Sequence, residues 1–355
     1  MARAPSTDHL RFLLVRLGAL GDVVHTIPVA AALRRAFPTA RLDWLVGARH
    51  SAILNLVPVL DTRLVMADGG DAGGGLSLLA TIRELRRREY DVVLDLQGLL
   101  KSAVLARSSG ASRVLGFSSR YLREGLARLF YTDVHDPGGD GMYALRETRH
   151  IVDVNLGLLE PLGITSGAPE FPIERVDSDV ARTLRERAAG PYVLLNPGAA
   201  WPNKRWPPAH FASLAAALFE RHGLKAIVVW GPDEEPLARE VVAGAGAAAI
   251  LAPPTTIADL VALAARALLM VGGDTGPTHI AAALGTPVVG LYGPTRPSRN
   301  GPLSPAASAV TVSRDAVCRC HHVRRCTEPR MCLFDIEASE VLAAIEPRLA
   351  AGRSA

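Results

Sequence analysis

Cysteine is absent from the first 317 residues of this 355-residue chain, and its four cysteines lie between Cys318 and Cys332. No disulfide framework can therefore hold the fold together, which favours a reducing compartment. The N-terminal segment also lacks the apolar core of a signal peptide, because Arg16 interrupts its short run FLLV. We therefore expect a cytoplasmic protein.

Lysine and aromatic residues are also scarce, with three lysines against 36 arginines and 5% aromatic residues. The net charge of +4 is too small to indicate nucleic acid as a partner, and no helix pattern shows a basic stripe interleaved with aromatics. Hydrophobic residues make up 49% of the chain, which excludes intrinsic disorder. At roughly 100–200 residues per domain, the length suits two domains. The uncharged stretch 275–295 contains three prolines and predicts a helix, a turn and a buried strand rather than a membrane span.

Short apolar runs alternate with amphipathic helical patterns along the chain, which is typical of βαβ units and parallel sheets. The first series predicts strands at 11–15, 42–46 and 91–95, and helices near 23–36, 76–88, 98–108 and 122–130. The second predicts strands at 192–196, 226–230, 267–271 and 288–291, and helices near 208–222, 235–243, 257–264 and 277–284. A segment rich in Pro, Ser and acidic residues, TSGAPEFPIERVDSD, separates the two series. In such sheets, ligands bind beyond the carboxyl ends of the strands.

The first strand leads into RLGALGDVVHTIP, in which Gly18 and Gly21 permit a tight turn. This loop has neither the Gly-Lys-Ser/Thr of a Walker loop nor the GxGxxG of a dinucleotide fold, so an NAD oxidoreductase is disfavoured. Asp22 has two interpretations. It either caps the following helix or faces the predicted cleft as a general base.

Two loops of the second series carry candidate donor ligands. Lys204, in PGAAWPNKRW, can reach a phosphate as a point charge, although a lone lysine is more often a solvated surface residue. In WGPDEE, Glu234 or Glu235 follows a strand end. Either carboxylate could accept hydrogen bonds from ribose hydroxyls or cap a helix.

The most specific motif is VGGDTGPTHIAAALGTPVVGLYGPT, where an apolar strand runs into GGDTG and Pro277 falls in the first helical turn. The backbone N–H groups of Thr275 and Gly276, together with the positive helix end, predict an anion site suited to a diphosphate. His279 is expected to add a donor to that anion.

Together these motifs resemble the lipopolysaccharide heptosyltransferases, the inverting sugar transferases of glycosyltransferase family 9. The matching segments are RLGALGDVVHTIP, DVVLDLQGLLKSA, REGLARLFY, NPGAAWPNKRW, WGPDEE, GGDTGPTHIAAALGTPVVGLYGPT and the cysteine segment. They spread over residues 11–335. DLQGLLKSA and REGLARLFY are most similar to heptosyltransferase I, whereas CRCHHVRRCTEPRMC is more similar to heptosyltransferase II.

The resemblance implies an α/β fold of the GT-B class, with two Rossmann-like doubly wound domains facing a central cleft. The implied organisation is an acceptor-binding domain at 1–170, a linker at 171–190, a nucleotide-sugar-binding domain at 191–335 and a C-terminal helix at 336–355. That helix is expected to cross back to the first domain.

The resemblance also assigns roles to residues. It implies that Asp22 is the general base and that Lys204 lies near the donor phosphates and sugar. The implied donor-binding residues are Glu234 at the ribose, Asp274 at the sugar hydroxyls, and Thr275, Gly276 and His279 at the diphosphate. The implied acceptor-binding residues are Lys101, Arg123 and Arg146.

The implied reaction moves heptose from ADP-heptose to the Kdo/heptose inner core of lipopolysaccharide. The acceptor would be of the lipid A–Kdo type, met by peripheral contact at the inner face of the inner membrane. No cofactor is expected, since the sequence has no DxD motif for a catalytic metal. The alternatives are a transferase that uses another nucleotide sugar or a later core acceptor, as heptosyltransferase II does, and an inactive nucleotide-sugar-binding protein.

The cysteines are spaced C-x-C-x5-C-x5-C, at Cys318, Cys320, Cys326 and Cys332. Their chemistry suits zinc, but the spacing is uncommon for a structural zinc site. We expect no metal there, and keep zinc as the alternative to simple packing or a redox-reversible pair.

Overall fold

The computed structural model describes residues 10–68, 74–144, 146–165, 167–305 and 308–352. The chain divides into two compact units, of which the first ends at Glu174 and the second begins at Arg175. Each unit is built on its own six-stranded sheet.

Parallel strands form the sheet of the first unit. They are β1 (Arg11–Val15), β2 (Arg41–Gly47), β3 (Thr62–Met66), β4 (Val92–Asp95), β5 (Arg113–Phe117) and β6 (Asp133–His135). Their order across the sheet is β3-β2-β1-β4-β5-β6, and every neighbouring pair runs parallel. The central strands β1 and β4 are almost wholly buried, and they are apolar apart from Arg11 at the start of β1 and Asp95 at the end of β4.

Helices connect these strands. They are α1 (Leu20–Val24), α2 (Ile27–Ala36), α3 (Leu78–Arg87), α4 (Leu100–Ser108) and α5 (Ile151–Gly157). The predicted helix 23–36 is divided into α1 and α2, with Pro28 in the first turn of α2. The predicted helix 122–130 is instead a 3₁₀ helix at Gly125–Phe130.

The sheet of the second unit repeats this topology. Its strands are β7 (Tyr192–Asn196), β8 (Lys225–Val228), β9 (Ala249–Leu251), β10 (Leu269–Gly273), β11 (Val288–Tyr292) and β12 (Ala309–Ser313). Their order is β12-β11-β10-β7-β8-β9. Both sheets therefore have the strand order of doubly wound nucleotide-binding folds, which confirms two Rossmann-like units. In such sheets, ligands bind where the strand order reverses, here between β1 and β4 and between β7 and β10.

The helices of the second unit follow the same alternation. They are α6 (Asp179–Ala188), α7 (Pro208–His222), α8 (Glu235–Ala245), α9 (Ile257–Ala264), α10 (Gly276–Ala283), α11 (Pro297–Asn300) and α12 (Ala338–Gly352). The uncharged stretch 275–295 holds α10 and β11, as predicted. Among the residues that the structure describes, no helix is long and apolar enough to span a bilayer.

The structure differs from the predicted domain organisation at the linker and at the C-terminal helix. The predicted linker 171–190 contains α6, which Ser178 caps by accepting a hydrogen bond from the Ala181 N–H at 3.0 Å. The C-terminal helix, predicted to cross back to the first domain, packs its Val341, Ile345 and Leu349 into the core of the second unit. An apolar stripe shows that a helix packs on a core, but it does not show on which one.

Candidate active site

The loops that follow β7 and β10 meet at the switch point of the second sheet. β7 leads to the 3₁₀ turn Pro202–Lys204, and β10 leads directly to Asp274. A Cβ atom on Gly273 would lie only 2.8 Å from the carbonyl oxygen of Lys204, so the close approach of the two loops requires glycine at this position.

An ion-pair cluster joins these loops. The Lys204 Nζ donates to Oδ2 of Asp274 at 2.6 Å, and the His279 Nε2 lies 2.9 Å from Oδ1 of the same carboxylate. All three side chains are largely buried. Because an ionised carboxylate can only accept hydrogen bonds, the His279 Nε2 carries the proton.

The electrostatics of the cluster favour the ionised form of Asp274. Burial opposes ionisation, but the charge of Lys204 and the hydrogen bond from His279 outweigh it and hold the pKa of Asp274 well below its ordinary value. Asp274 and Lys204 therefore form a fixed pair of opposite charges at the carboxyl edge of the sheet.

Two tryptophans support the lysine. The Lys204 Nζ lies 4.5 Å from the centroid of the Trp201 ring, a cation–π distance. The buried Trp206 donates its indole N–H to the carbonyl of Ile336 at 2.8 Å and packs edge-on against Phe211. Trp206 thus anchors the loop to the core, and Trp201 contacts the ammonium group.

The N-terminus of α10 adjoins this cluster. Thr275 is the N-cap residue, and its hydroxyl accepts a hydrogen bond from the Asn196 amide at 3.0 Å. The N–H groups of the first helical turn have no partner within a helix, which makes this end suitable for an anion. Since Lys204 neutralises Asp274, the helix terminus keeps its attraction for negative charge. The structure thus brings together five predicted residues, Lys204, Asp274, Thr275, Gly276 and His279. The sequence led us to expect a donor from His279 to the diphosphate, whereas its imidazole Nε2 is directed at Asp274.

Glu234 and Glu235 have different environments, which separates the two candidates for the ribose ligand. Glu234 accepts a hydrogen bond from the Gly231 N–H at 3.0 Å and lies against Gly198 in the loop after β7. Burial raises the pKa of Glu234. Glu235 instead forms an exposed i,i+4 ion pair with Arg239 along α8. Glu234 is therefore the carboxylate that faces the switch point.

In the first unit, Asp22 lies at the corresponding switch point. It does not occupy the predicted N-cap position, because α1 begins at Leu20 and Ala19 is the N-cap residue, but it caps the helix from the first turn. The Asp22 carboxylate accepts a hydrogen bond from the Ala19 N–H at 3.2 Å and pairs with Arg16 at 2.7 Å. Arg16 is itself hydrogen-bonded to the carbonyl of Leu96 after β4. About a third of the Asp22 side chain remains exposed, so the carboxylate is both positioned and accessible.

His50 is a neighbour of Asp22 that the sequence analysis missed. It follows β2, and its ring lies directly against Gly18. Burial lowers the pKa of His50, while the charges of Asp68 and Asp22 act in the opposite direction. Gln97 was also missed, and its side-chain oxygen accepts from the Leu17 N–H at 2.9 Å. Position after a strand end was the only sequence signal for His50, whereas Gln97 also lies within the segment DLQGLLKSA that resembles heptosyltransferase I.

The three predicted acceptor ligands carry exposed side chains. Lys101 lies in the first turn of α4, Arg123 precedes the 3₁₀ helix Gly125–Phe130, and Arg146 lies in the loop after β6. Each follows a different strand of the first sheet. Their assignment as acceptor ligands stays a prediction.

The cysteine segment packs beside the Lys204 loop. The Cys320 and Cys326 sulfur atoms lie 3.2 Å apart, and all four cysteines are free thiols. Within the described ranges, no group of three or more His, Cys, Asp or Glu side chains is placed to hold a metal ion. The Asn203 amide donates to the carbonyl of Val323 at 2.9 Å, which ties this segment to the turn that carries Lys204.

Comparison with known proteins decides the family. Residues 78–331 match the model of glycosyltransferase family 9 (heptosyltransferase). Lipopolysaccharide heptosyltransferase 1 of Pseudomonas aeruginosa is 31% identical to this chain, with 94% of this chain and 93% of the relative covered. The chain belongs to glycosyltransferase family 9. It is a glycosyltransferase, and the predicted family resemblance is confirmed.

Solved structures of family 9 enzymes also match. Escherichia coli heptosyltransferase WaaC with ADP is similar at a TM-score of 0.74 and 25% identity, covering 96% of this chain and 100% of that one. WaaC with ADP-2-deoxy-2-fluoro heptose is similar at a TM-score of 0.72 and 25% identity, covering 95% and 99%. The heptosyltransferase likeness confirms the GT-B fold class for this family 9 chain.

Replacing Asp274 by Asn should destabilise the second unit by about 3–5 kcal/mol, because it leaves the buried Lys204 ammonium without its counter-charge. A carboxylate with a depressed pKa stabilises the fold above its ordinary pKa and loses that effect as the pH falls below it. Urea unfolding at several pH values measures the free energy of unfolding of wild type and variant. The difference between the two should stay constant from neutral to mildly acidic pH and shrink only below 3.8, the ordinary pKa of an aspartate.

Asp335→Asn is the matched control, since it breaks an exposed ion pair with Arg330 and should change the free energy of unfolding by about 1 kcal/mol or less. If both substitutions lowered the free energy of unfolding equally, the Asp274 cluster would contribute no more to stability than an exposed ion pair.

Proposed function

We propose that this family 9 enzyme transfers heptose from ADP-heptose to the Kdo/heptose inner core of lipopolysaccharide with inversion at the anomeric carbon. The observation that carries the proposal is the Lys204–Asp274–His279 cluster beside the N-terminus of α10. The structures of WaaC with ADP and with a fluorinated ADP-heptose are those of a relative that covers most of this chain, which supports the same donor here.

The donor is proposed to bind along the carboxyl edge of the second sheet. The backbone N–H groups of Thr275 and Gly276 would hold the diphosphate, and the Lys204 ammonium, while paired with Asp274, would donate a further hydrogen bond to a phosphate oxygen. Asp274 would accept hydrogen bonds from sugar hydroxyls, with His279 holding it in place. Glu234 would accept from the ribose hydroxyls. Negative charge grows on the diphosphate as it leaves, so the N–H groups of Thr275 and Gly276 and the Lys204 ammonium would stabilise the transition state more than the bound donor.

Asp22 is proposed as the general base. The acceptor hydroxyl oxygen forms the new bond to the anomeric carbon, the bond from that carbon to the diphosphate oxygen breaks, and the hydroxyl proton passes to Asp22. The contacts of Asp22 with Ala19 and Arg16 support this role, because they hold the carboxylate in one orientation while leaving part of it exposed. No cofactor takes part in the proposed step.

The acceptor is proposed to be of the lipid A–Kdo type, at the inner face of the inner membrane. Lys101, Arg123 and Arg146 are proposed to meet its anionic groups, since all three present exposed cationic side chains after strands of the first sheet. The similarity to lipopolysaccharide heptosyltransferase 1 of Pseudomonas aeruginosa supports a lipopolysaccharide acceptor.

Asp22→Asn should lower the rate of heptose transfer by about a hundredfold or more, because the amide cannot take the acceptor proton. ADP affinity, measured by calorimetry, should stay close to that of wild type because the proposed donor ligands belong to the second unit. The rate is measured as ADP release from ADP-heptose with a Kdo-lipid A acceptor.

Asp61→Asn is the control for this substitution. Asp61 is also paired with an arginine, Arg34, at 2.6 Å, but it precedes β3 at the opposite edge of the sheet. Its loss should leave the rate nearly unchanged. Near-normal transfer by Asp22→Asn would overturn the assignment of the base.

Glu234→Gln should weaken ADP binding by about tenfold, because a charged acceptor of the ribose hydroxyls becomes neutral. Glu235→Gln removes the adjacent carboxylate, which is engaged by Arg239 on the exposed face of α8, and should have little effect. Calorimetric titration with ADP compares the two variants. A larger loss of ADP affinity in Glu235→Gln than in Glu234→Gln would show that Glu235 is the residue that binds the ribose.

A further inference from the structure

Exposed apolar side chains are distributed unevenly over the described part of the molecule. Six of the large ones lie on only three neighbouring elements of the first unit. They are Leu78 and Leu79 on α3, Leu100 and Val104 on α4, and Leu126 and Leu129 on the 3₁₀ helix Gly125–Phe130. Three of them have most of their surface exposed to solvent, with exposed fractions of 75% for Leu79, 65% for Leu126 and 73% for Leu129. We refer to these six residues as the apolar rim.

The fold brings the members of the apolar rim to one edge. The helices α3 and α4 and the 3₁₀ helix begin soon after β3, β4 and β5, so all three start at the carboxyl edge of the first sheet. The helix α4 packs against both α3 and the 3₁₀ helix. The Leu100 N–H also donates to the carboxylate of Glu124 at 2.7 Å. Asp22 follows β1 at the same edge.

The charge around the apolar rim is mainly positive. The segments 100–108 and 123–130 contain four basic residues and one acidic residue. The basic side chains are exposed, and they are Lys101, Arg107, Arg123 and Arg128. The one acidic residue, Glu124, is engaged by the backbone of α4. Exposed leucines surrounded by arginine and lysine are the composition of surfaces that rest in the headgroup region of anionic bilayers.

We propose that the apolar rim docks this protein on an anionic phospholipid bilayer. The leucines enter the boundary between headgroups and acyl chains, and the surrounding basic side chains pair with lipid phosphates. Docking in this orientation holds the edge that carries Asp22 toward the membrane. The sequence led us to expect only peripheral contact with the membrane, and the structure adds an apolar surface that can make it. The proposal rests on the proposed function only in taking the acceptor to be lipid-linked.

The test is sedimentation of the full chain with vesicles, without donor or acceptor. Wild type should pellet with mixed phosphatidylglycerol and phosphatidylcholine vesicles, bind much less to pure phosphatidylcholine and be released by salt. The double substitution Leu126→Ser and Leu129→Ser should reduce the partition coefficient by about tenfold or more. Val317→Ser, at a similarly exposed valine of the second unit, is the matched control and should bind as wild type does.

Leu79→Ser on α3 is a second, independent variant that should also weaken vesicle binding. Wild type that does not pellet with anionic vesicles, or leucine variants that bind as wild type does, would overturn the proposal. Because no sugar transfer is measured, a failure of the proposed reaction leaves this result intact. In a separate arm, the double variant should keep its transfer rate on a deacylated, water-soluble acceptor and lose rate only on acceptor embedded in vesicles. Equal losses on both acceptors would also contradict membrane docking.

Discussion

The ion pair between Lys204 and Asp274 connects two strands that are neighbours in the sheet but far apart in the chain. β7 and β10 pair in parallel, and their outgoing loops can meet only because Gly273 has no side chain. Removing either charge would leave the other buried without a partner, which is costly in a site as enclosed as this one. Asp274 also accepts the hydrogen bond from His279 on α10, and Lys204 also lies over Trp201, so the pair is in contact with both loops.

The same topology organises the first unit around a different chemical group. Where the second sheet presents the helix end that is proposed to bind the diphosphate, the first presents the carboxylate of Asp22, held by Arg16 and the backbone of α1. A base must be accessible to a hydroxyl, and Asp22 is accordingly more exposed than Asp274. The difference in burial between these two aspartates corresponds to the difference in their proposed roles.

Much of the fold and the grouping of the candidate site residues in the second unit could be predicted, because buried parallel strands consist of apolar runs and ligand-binding loops follow their ends. The strands β1 and β7 and the GGDTG loop were predicted on that basis. Contacts that depend on the tertiary fold could not be predicted, including the ring of His50 against Gly18 and the bond from His279 to Asp274. Short strands such as β6 and β9, with three residues each, carry too little pattern to be recognised.

The proposed mechanism requires above all that Lys204 binds the donor diphosphate from its fixed place beside Asp274. Calorimetric titration with ADP of Lys204→Arg against Lys225→Arg tests it directly. Lys225 starts β8 and donates to the carbonyl of Arg187 at 3.3 Å, so its substitution should leave ADP affinity unchanged. The wide guanidinium at position 204 cannot reproduce a compact ammonium between Trp201 and Asp274, and ADP affinity should fall by about tenfold. Equal ADP affinity of the two variants would contradict the account.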